Sequence, residues 1–327
     1  MGSLRALRSA PFALALGLGF AGAVRNNDGC ARIVMLHGTP PGHAGALARA
    51  LGYLKRNFRI VPLASLVQRM ESGDDRLGRQ LALTFDDGLR SNVEIAYPLL
   101  ARLGLSATFF VCPQLVDEGR WLWNQEARQR LLRLPGGALA ELARELGVPA
   151  QVEALVQHLK GMPMPGRRAL EGRLRDATPG FTPTAAEREA LDLASWAELR
   201  RLDPCVVDIG SHTLSHPILT SLSPVELQCE IAASRASLEA RLGREVEFFA
   251  YPNGDTDAAV HAAVRRHYRA AVTTAEGSAS PACDLHLLPR LPLPWSSLRL
   301  ALSLYRATPP GYLAATPSTR VGSQVAI

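Results

Sequence analysis

Short runs of apolar, β-favouring residues recur along the chain, each followed by turn residues and then by a stretch with helical spacing. They are "ARIVMLHG" (31–38), "FRIVPL" (58–63), "LALTFDDG" (81–88), "SATFFVC" (106–112), "CVVDIGSH" (205–212), "VEFFAYPNG" (246–254), "AAVTT" (270–274) and "LHLLPRL" (285–291). Apolar positions three to four apart mark helices over Ala44 to Arg56, Asn92 to Leu103, Pro224 to Leu242 and Asp257 to His267. A strand that is apolar throughout must be covered on both faces, and a helix between two strands supplies both the cover and the crossover that parallel pairing needs. The alternation therefore predicts an α/β fold whose parallel sheet is either sandwiched between helices or closed into a barrel. "SPVE" adds a helix start, with Ser223 as N-cap, Pro224 in the first turn and Glu226 as the third-position carboxylate.

The rhythm breaks between Pro113 and Pro204, where "EARQRLLRL", "ALAELARELG" and "QVEALVQHLKG" read as helices and no strand is evident. This stretch, 113–204, is expected to be an inserted helical subdomain within a domain spanning 31–306. Residues 307–327 have the Pro, Ser, Thr and Gly content of a poorly ordered tail. Residues 1–30 carry Arg5 and Arg8, an apolar run from Pro11 to Val24, and "AGA" at Ala21 to Ala23. They read either as a helix preceding the domain or as a signal segment, the apolar run being short for a membrane span.

With 327 residues the chain is long enough to bury a full core. Its formal charge of +6 suits acidic surroundings such as phospholipid head groups, so peripheral association with a membrane is one expectation. No dense basic run with interleaved aromatics occurs, and a nucleic-acid partner is not expected. Five widely spaced cysteines, without a C-x-x-C pair, suggest free buried thiols in a reducing compartment. The expected location is the cytoplasm or the periphery of the inner membrane, with export by the N-terminal segment as the alternative; oligomeric state is not fixed by the sequence.

Two features carry chemistry. In "LALTFDDG" a buried strand ends in Asp86 and Asp87, and in "CVVDIGSHTLSHP" another ends in His212 with His216 four residues on. An Asp pair before Gly is by itself an ordinary turn, and H-x-x-x-H by itself is a weak signal. Both lie at the carboxyl ends of predicted parallel strands, where barrels and open α/β sheets gather their sites. If the turn after the strand begins a helix, His212 and His216 share a face and converge on one ion. One aspartate can then serve as a third ligand, and the other can accept a proton from water.

"TFDDG", "SHTLSHP" and "FFAYPNGD", in this order, resemble the first three motifs of the polysaccharide deacetylase family, carbohydrate esterase family 4. The resemblance implies a distorted (β/α) barrel of about seven parallel strands that removes acyl groups from N-acylated sugars with a divalent metal, expected to be Zn²⁺. By position, Asp86 would be the general base, and Asp87, His212 and His216 the metal ligands. The backbone N–H of Asn253, after Pro252 and Tyr251, would contact the oxyanion. The chain departs from the usual Arg-x-Pro-Tyr-Gly, and the late Leu-x-His motif is not convincing, "LHLLPR" placing His286 in a different setting. A branch of the family carries its acid histidine on the first strand, and "IVMLHG" puts His37 there. Arg290 is a candidate to replace the missing arginine beside Asp86, a surface salt bridge being the plain alternative. Trp121 and Trp123 are candidates to stack on a sugar face, against an ordinary packing role. The expected substrate is an N-acylated sugar in a glycan or glycolipid; a deformylase or deacetylase of a lipid-linked sugar and a non-catalytic glycan binder are the alternatives.

Overall fold

The computed structural model describes residues 29–294 and Leu304. The expected N-terminal helix or signal segment, up to Asp28, and the tail 307–327 lie outside the described residues. The strands are β1 (Arg32–Leu36), β2 (Arg59–Ile60), β3 (Gln80–Phe85), β4 (Ala107–Val111), β5 (Val207–Ser211), β6 (Phe248–Ala250), β7 (Ala270–Val272) and β8 (Leu291–Pro292). All pair in parallel, in the order β7-β6-β5-β4-β3-β1-β8, with β2 beside β3 off this path. A bridge between Val272 and Leu288 ties the β7 end back towards β8, so the seven strands on the path curl into a distorted (β/α) barrel.

Side chains alternate across each strand, and the two faces bury different things. Leu81, Leu83 and Phe85 of β3 join the layer under the helices, with Leu47, Leu51 and Leu54 of the helix Ala44–Asn57 and with Leu100. Ala82 joins the smaller cluster of the barrel interior, with Ile33, Phe110, Phe248 and Val272. Gly210 is required on β5, because a Cβ there would lie 2.4 Å from the ring of Phe110. Burying each large apolar side chain stabilises the fold by about 1.5–3 kcal/mol, and the interior cluster leaves the barrel mouth as the place for polar groups.

Two predicted strands are much shorter than expected. "FRIVPL" pairs only at Arg59 and Ile60, because Pro62 starts the helix Leu63–Glu71. "LHLLPRL" is mostly turn: Leu288 makes only an isolated bridge to Val272, Pro289 has no N–H for a ladder, and a strand resumes at Leu291. The helix after Ser223 is capped as predicted, Ser223 and Glu226 forming a reciprocal capping box, but it contains a π-turn over Cys229–Ala233.

Between Pro113 and Arg200 the chain forms seven helices; the four from Trp123 to Ala177 build a core of their own, in which Trp123, Ala127, Leu131, Leu155, Leu159 and Leu170 meet, while Leu115 and Leu199 of the flanking helices join the main core. Cys112, Cys205, Cys229 and Cys283 are free thiols; Cys30 and Cys112 are buried, but Cys205 and Cys229 are exposed, unlike the buried thiols expected. Among the described residues, no helix is long and apolar enough to cross a membrane.

Candidate active site

Parallel pairing brings every strand's carboxyl end to one rim. Leu36 pairs with Phe85, so His37 and Asp86 are the next residues of neighbouring strands. The Asp86 N–H donates to the Leu36 carbonyl at 2.8 Å, which extends the ladder to the first aspartate. The chain then turns sharply: Asp87 and Gly88 have φ of 74° and 67°. That bend sends the side chain of Asp87 towards β5, while Asp86 stays on the inward side with Ala82 and Thr84.

Two strands away, the His212 N–H donates to the Val111 carbonyl at 2.9 Å, fixing the first imidazole at the end of β5. His212 and His216 are not on a helix, in contrast to the spacing argument. They flank a loop in which Thr213 and His216 have φ of 67° and 59°, and their rings meet edge to face at 4.8 Å. The i,i+4 spacing therefore works through a left-handed loop, since three residues with two such turns reverse the chain as tightly as a helical turn.

Asp87 Oδ1 lies 3.5 Å from the Nε2 atoms of both His212 and His216, and the ligand atoms of the three residues fall within 4.8 Å of one another. All three are buried. His212 Nδ1 hydrogen-bonds to the Ala250 carbonyl at 2.7 Å, which places the proton on Nδ1 and turns the Nε2 lone pair to the cluster. Burial, helped by the neighbouring His212, pushes the His216 pKa down to about 3, so this imidazole is neutral and free to ligate. Burial alone would raise the Asp87 carboxyl, but its contact with the His212 ring and the nearby imidazoles, His37 among them, hold it well below the usual carboxylate range. His212 moves the other way: burial opposes its charge, but the Asp87 contact and the charge of Asp86 raise it. One carboxylate and two imidazoles in this arrangement can hold a divalent metal.

Asp86 has a different environment. Arg290 meets it with both guanidinium arms, Nη1 to Oδ1 and Nη2 to Oδ2, each at 2.7 Å. The pair is not the surface salt bridge of the plain reading: the side chains of Arg290 and Asp86 are 0% and 2% exposed. Arg290 is held in turn by the Thr273 carbonyl at 2.8 Å and by Thr84 Oγ1 at 3.1 Å. Burial pushes the Asp86 carboxyl up, but the charge and hydrogen bonds of Arg290 outweigh it and keep it below its ordinary value. The result is a rigid, ionised carboxylate beside the cluster.

The other candidates separate by exposure. His37 is exposed at the rim, close enough for its charge to act on Asp86, Asp87 and His216. Asn253 is exposed with φ 58°; its side chain accepts from Lys160 Nζ at 3.0 Å. Pro252 is buried, and so is Tyr251, whose hydroxyl donates to the His286 carbonyl at 2.9 Å; neither side chain presents a surface to a substrate. His286 Nε2 is bonded to the Tyr268 carbonyl at 2.9 Å.

Trp121 and Trp123 are also covered, at 8% and 4% exposure. Trp121 packs edge-on to Phe181 and its indole donates to Asp192; Trp123 lies under the Arg167 guanidinium. The expectation of two open stacking faces is corrected: the helices between 113 and 204 fold over both rings. Trp123 still reaches the site, its indole N–H donating to the His216 carbonyl at 2.8 Å.

A parallel barrel whose mouth sets a buried, arginine-locked carboxylate beside a metal-capable Asp-His-His cluster defines a class: hydrolases that activate water against an acyl carbon. The sequence places the chain more narrowly. The family model described as polysaccharide deacetylase matches residues 73–271, and the chain belongs to that family. The protein is accordingly a hydrolase of amide carbon–nitrogen bonds, and the family implies an N-acetylated glycan substrate. The fold is similar to that of the Streptococcus pyogenes deacetylase PplD in complex with acetate, at 17% identity, 84% of this chain, 96% of that chain and a TM-score of 0.57. IcaB from Ammonifex degensii matches at 17% identity, 84% of this chain, 96% of that chain and a TM-score of 0.56. The deacetylase domain of BpsB from Bordetella bronchiseptica matches at 12% identity, 82% of this chain, 97% of that chain and a TM-score of 0.52. No curated protein sequence matches the chain.

Proposed function

We propose that the protein removes the N-acetyl group of an amino sugar in a glycan or glycolipid, with a divalent ion, Zn²⁺ by its ligand set, held by Asp87, His212 and His216. The observation that supports this reading above all is the convergence of those three ligand sets within 4.8 Å, beside an Asp86 that is not drawn into the cluster but locked by Arg290. The residues suit the group chemically: two imidazoles and a carboxylate would hold such an ion and leave room beside it for water or substrate. When bound, such an ion supplies Lewis acidity, polarising the acyl carbonyl and lowering the pKa of a water by several units.

The chain's own groups then divide the work. Asp86, ionised and unable to rotate, accepts a proton from the attacking water. The backbone N–H of Asn253, on a loop held in a left-handed turn, donates to the oxyanion that develops on the acyl carbonyl oxygen. His37, exposed at the end of β1, gives a proton to the sugar amine as the C–N bond breaks, because an amine leaves poorly as an anion. The products are acetate and the free amino sugar.

The test is acetate release by the Zn²⁺-loaded protein from N-acetylated oligosaccharides, lipid-linked sugars and nucleotide sugars, followed with variants. Asp86→Asn is expected to keep the metal and lose turnover by roughly a hundredfold or more, whereas Asp87→Asn and His212→Ala lose metal as well. Full metal content in the double variant of His212 and His216 to alanine, or wild-type turnover in Asp86→Asn, would overturn the assignment.

A further inference from the structure

The loop from His212 to His216 carries two of the three metal-capable ligands, yet it belongs to no helix or strand. Thr213 and His216 both sit in the left-handed region, which costs a non-glycine residue roughly 1–2 kcal/mol each. Such a path persists only where neighbours over-determine it. Some of the ties are near in sequence: the His216 N–H donates to Thr213 Oγ1 at 2.9 Å. Gln114 adds a main-chain bond, its N–H donating to the Leu214 carbonyl at 3.2 Å.

The strongest tie comes from Glu230. This carboxylate is 4% exposed and lies on the π-turn Cys229–Ala233. Its Oε2 accepts from the N–H groups of Leu214 at 2.9 Å and Ser215 at 3.0 Å, and its Oε1 accepts from Ser215 Oγ at 2.5 Å. The helix face on which it lies is otherwise buried at Leu227, Ile231, Ser234 and Leu238, so packing alone would call for an apolar residue there. A π-turn inserts an extra residue into a helix, which is how a side chain on a packed face is re-aimed. Here the re-aimed group satisfies two consecutive main-chain donors of the loop between the histidines.

We propose that Glu230 is a positioning residue of the metal-capable site: its carboxylate clamps Leu214 and Ser215 so that the loop returns His216 Nε2 to Asp87 and His212. The inference rests on the reading that these three residues hold an ion. Glu230 touches neither substrate nor metal; its effect is transmitted through the loop backbone. Partners that support metal ligands from outside the metal's own contacts typically change metal affinity by about 10–100-fold when lost. Shape matters more than charge in this account. A glutamine can keep one oxygen on the two N–H groups and turn its amide to Ser215 Oγ, whereas alanine removes all three bonds.

The experiment compares wild type, E230A and E230Q by Zn²⁺ dissociation constant in competition with a chromophoric chelator, by the visible spectrum of the Co²⁺-substituted protein, and by melting temperature of the metal-free protein. E230A is expected to weaken Zn²⁺ binding about 10–100-fold and shift the Co²⁺ bands, with E230Q within about threefold of wild type. Wild-type affinity and spectrum in E230A overturn the proposal, and so does E230Q as damaging as E230A. If E230A does not fold, Ser215→Ala, which removes one bond and leaves the helix intact, is expected to weaken binding severalfold; an unchanged dissociation constant there overturns it equally. A wild-type protein that binds no divalent ion would instead overturn the proposed function and this inference together.

Discussion

Replacing Arg290 by methionine probes the proposed base, Asp86, and the barrel interior in one step. Methionine fills much of the space of the arginine stem, so the change removes the guanidinium more than it opens a cavity. Lost are two bonds of 2.7 Å to Asp86 and the bonds to Thr84 and Thr273. Hydrogen bonds to a charged group contribute about 1.5–3 kcal/mol each, so the pair to Asp86 comes to roughly 3–6 kcal/mol. Removing one member of a buried ion pair costs about 3–5 kcal/mol by direct measure, in agreement. At about 2 °C per kcal/mol for a chain of this size, the melting temperature near pH 7 should fall by roughly 6–10 °C. The pH dependence has a definite sign. In the wild type the depressed Asp86 carboxyl contributes stability above the ordinary carboxylate pKa and loses it as pH falls. Without Arg290, burial is opposed only by the charges of His212 and His37 and the carboxyl rises, so the variant's deficit should be largest at neutral pH and shrink in acid. The same rise moves the acidic limb of the kcat/KM profile to higher pH, because the base must be ionised to work. Thermal unfolding and a pH–rate profile together decide the matter. An Arg290→Met protein with an unmoved acidic limb would refute the role given to the pair, whatever its stability.

Trp123→Phe should weaken Zn²⁺ binding by several-fold, since it strips the donor from the buried His216 carbonyl, worth about 1–3 kcal/mol; Trp121→Phe, which loses only its bond to Asp192, should lower the melting temperature and leave metal affinity alone. His37→Ala should keep its metal and lose most amide hydrolysis while an activated aryl acetate, whose leaving group needs no proton, is cleaved nearly as before; equal loss on both substrates would reject the acid role. Glu126 supplies an acid-stability test outside the Asp-His-His cluster. Burial raises its carboxyl, but the hydrogen bonds of Arg175 and Arg130 and the charges of Arg175 and Arg120 lower it from 4.5 to about 2. That is worth at most about 3 kcal/mol, and about half of it once solvent screening is allowed for, present above pH 4.5 and lost as pH falls towards about 2. Glu126→Gln should therefore be less stable than wild type at pH 7, and urea unfolding curves of the two should converge in acid.

The contributions of sequence and structure divide along the range of the forces involved. Strand periodicity is a local pattern, so β3 and β5 and the residues at their ends, Asp86, Asp87 and His212, were legible from the sequence. Because parallel strands place all their carboxyl ends on one rim, the gathering of those residues could be anticipated too. The capping box at Ser223 was legible for the same reason, being a contact between residues three apart. The route by which His216 reaches the site was not: helical spacing named the right pair, but the loop is left-handed, a choice made by Glu230, Gln114 and Trp123 from three other segments. The fate of the two tryptophans likewise depended on which helices would cover them, and periodicity within one helix carries no record of that. Arg290 was a candidate beside Asp86 from the sequence, but whether the pair would be a surface bridge or a buried one was not legible. Its partner lies 204 positions earlier in the chain, and only the curling of β8 against β1 carries the guanidinium into the interior, where desolvation turns an ordinary charge pair into the lock on Asp86. A chain pattern fixes which face of an element is apolar and which residues end it; what surrounds a side chain, and hence its charge state and rigidity, is decided only when distant elements close around it.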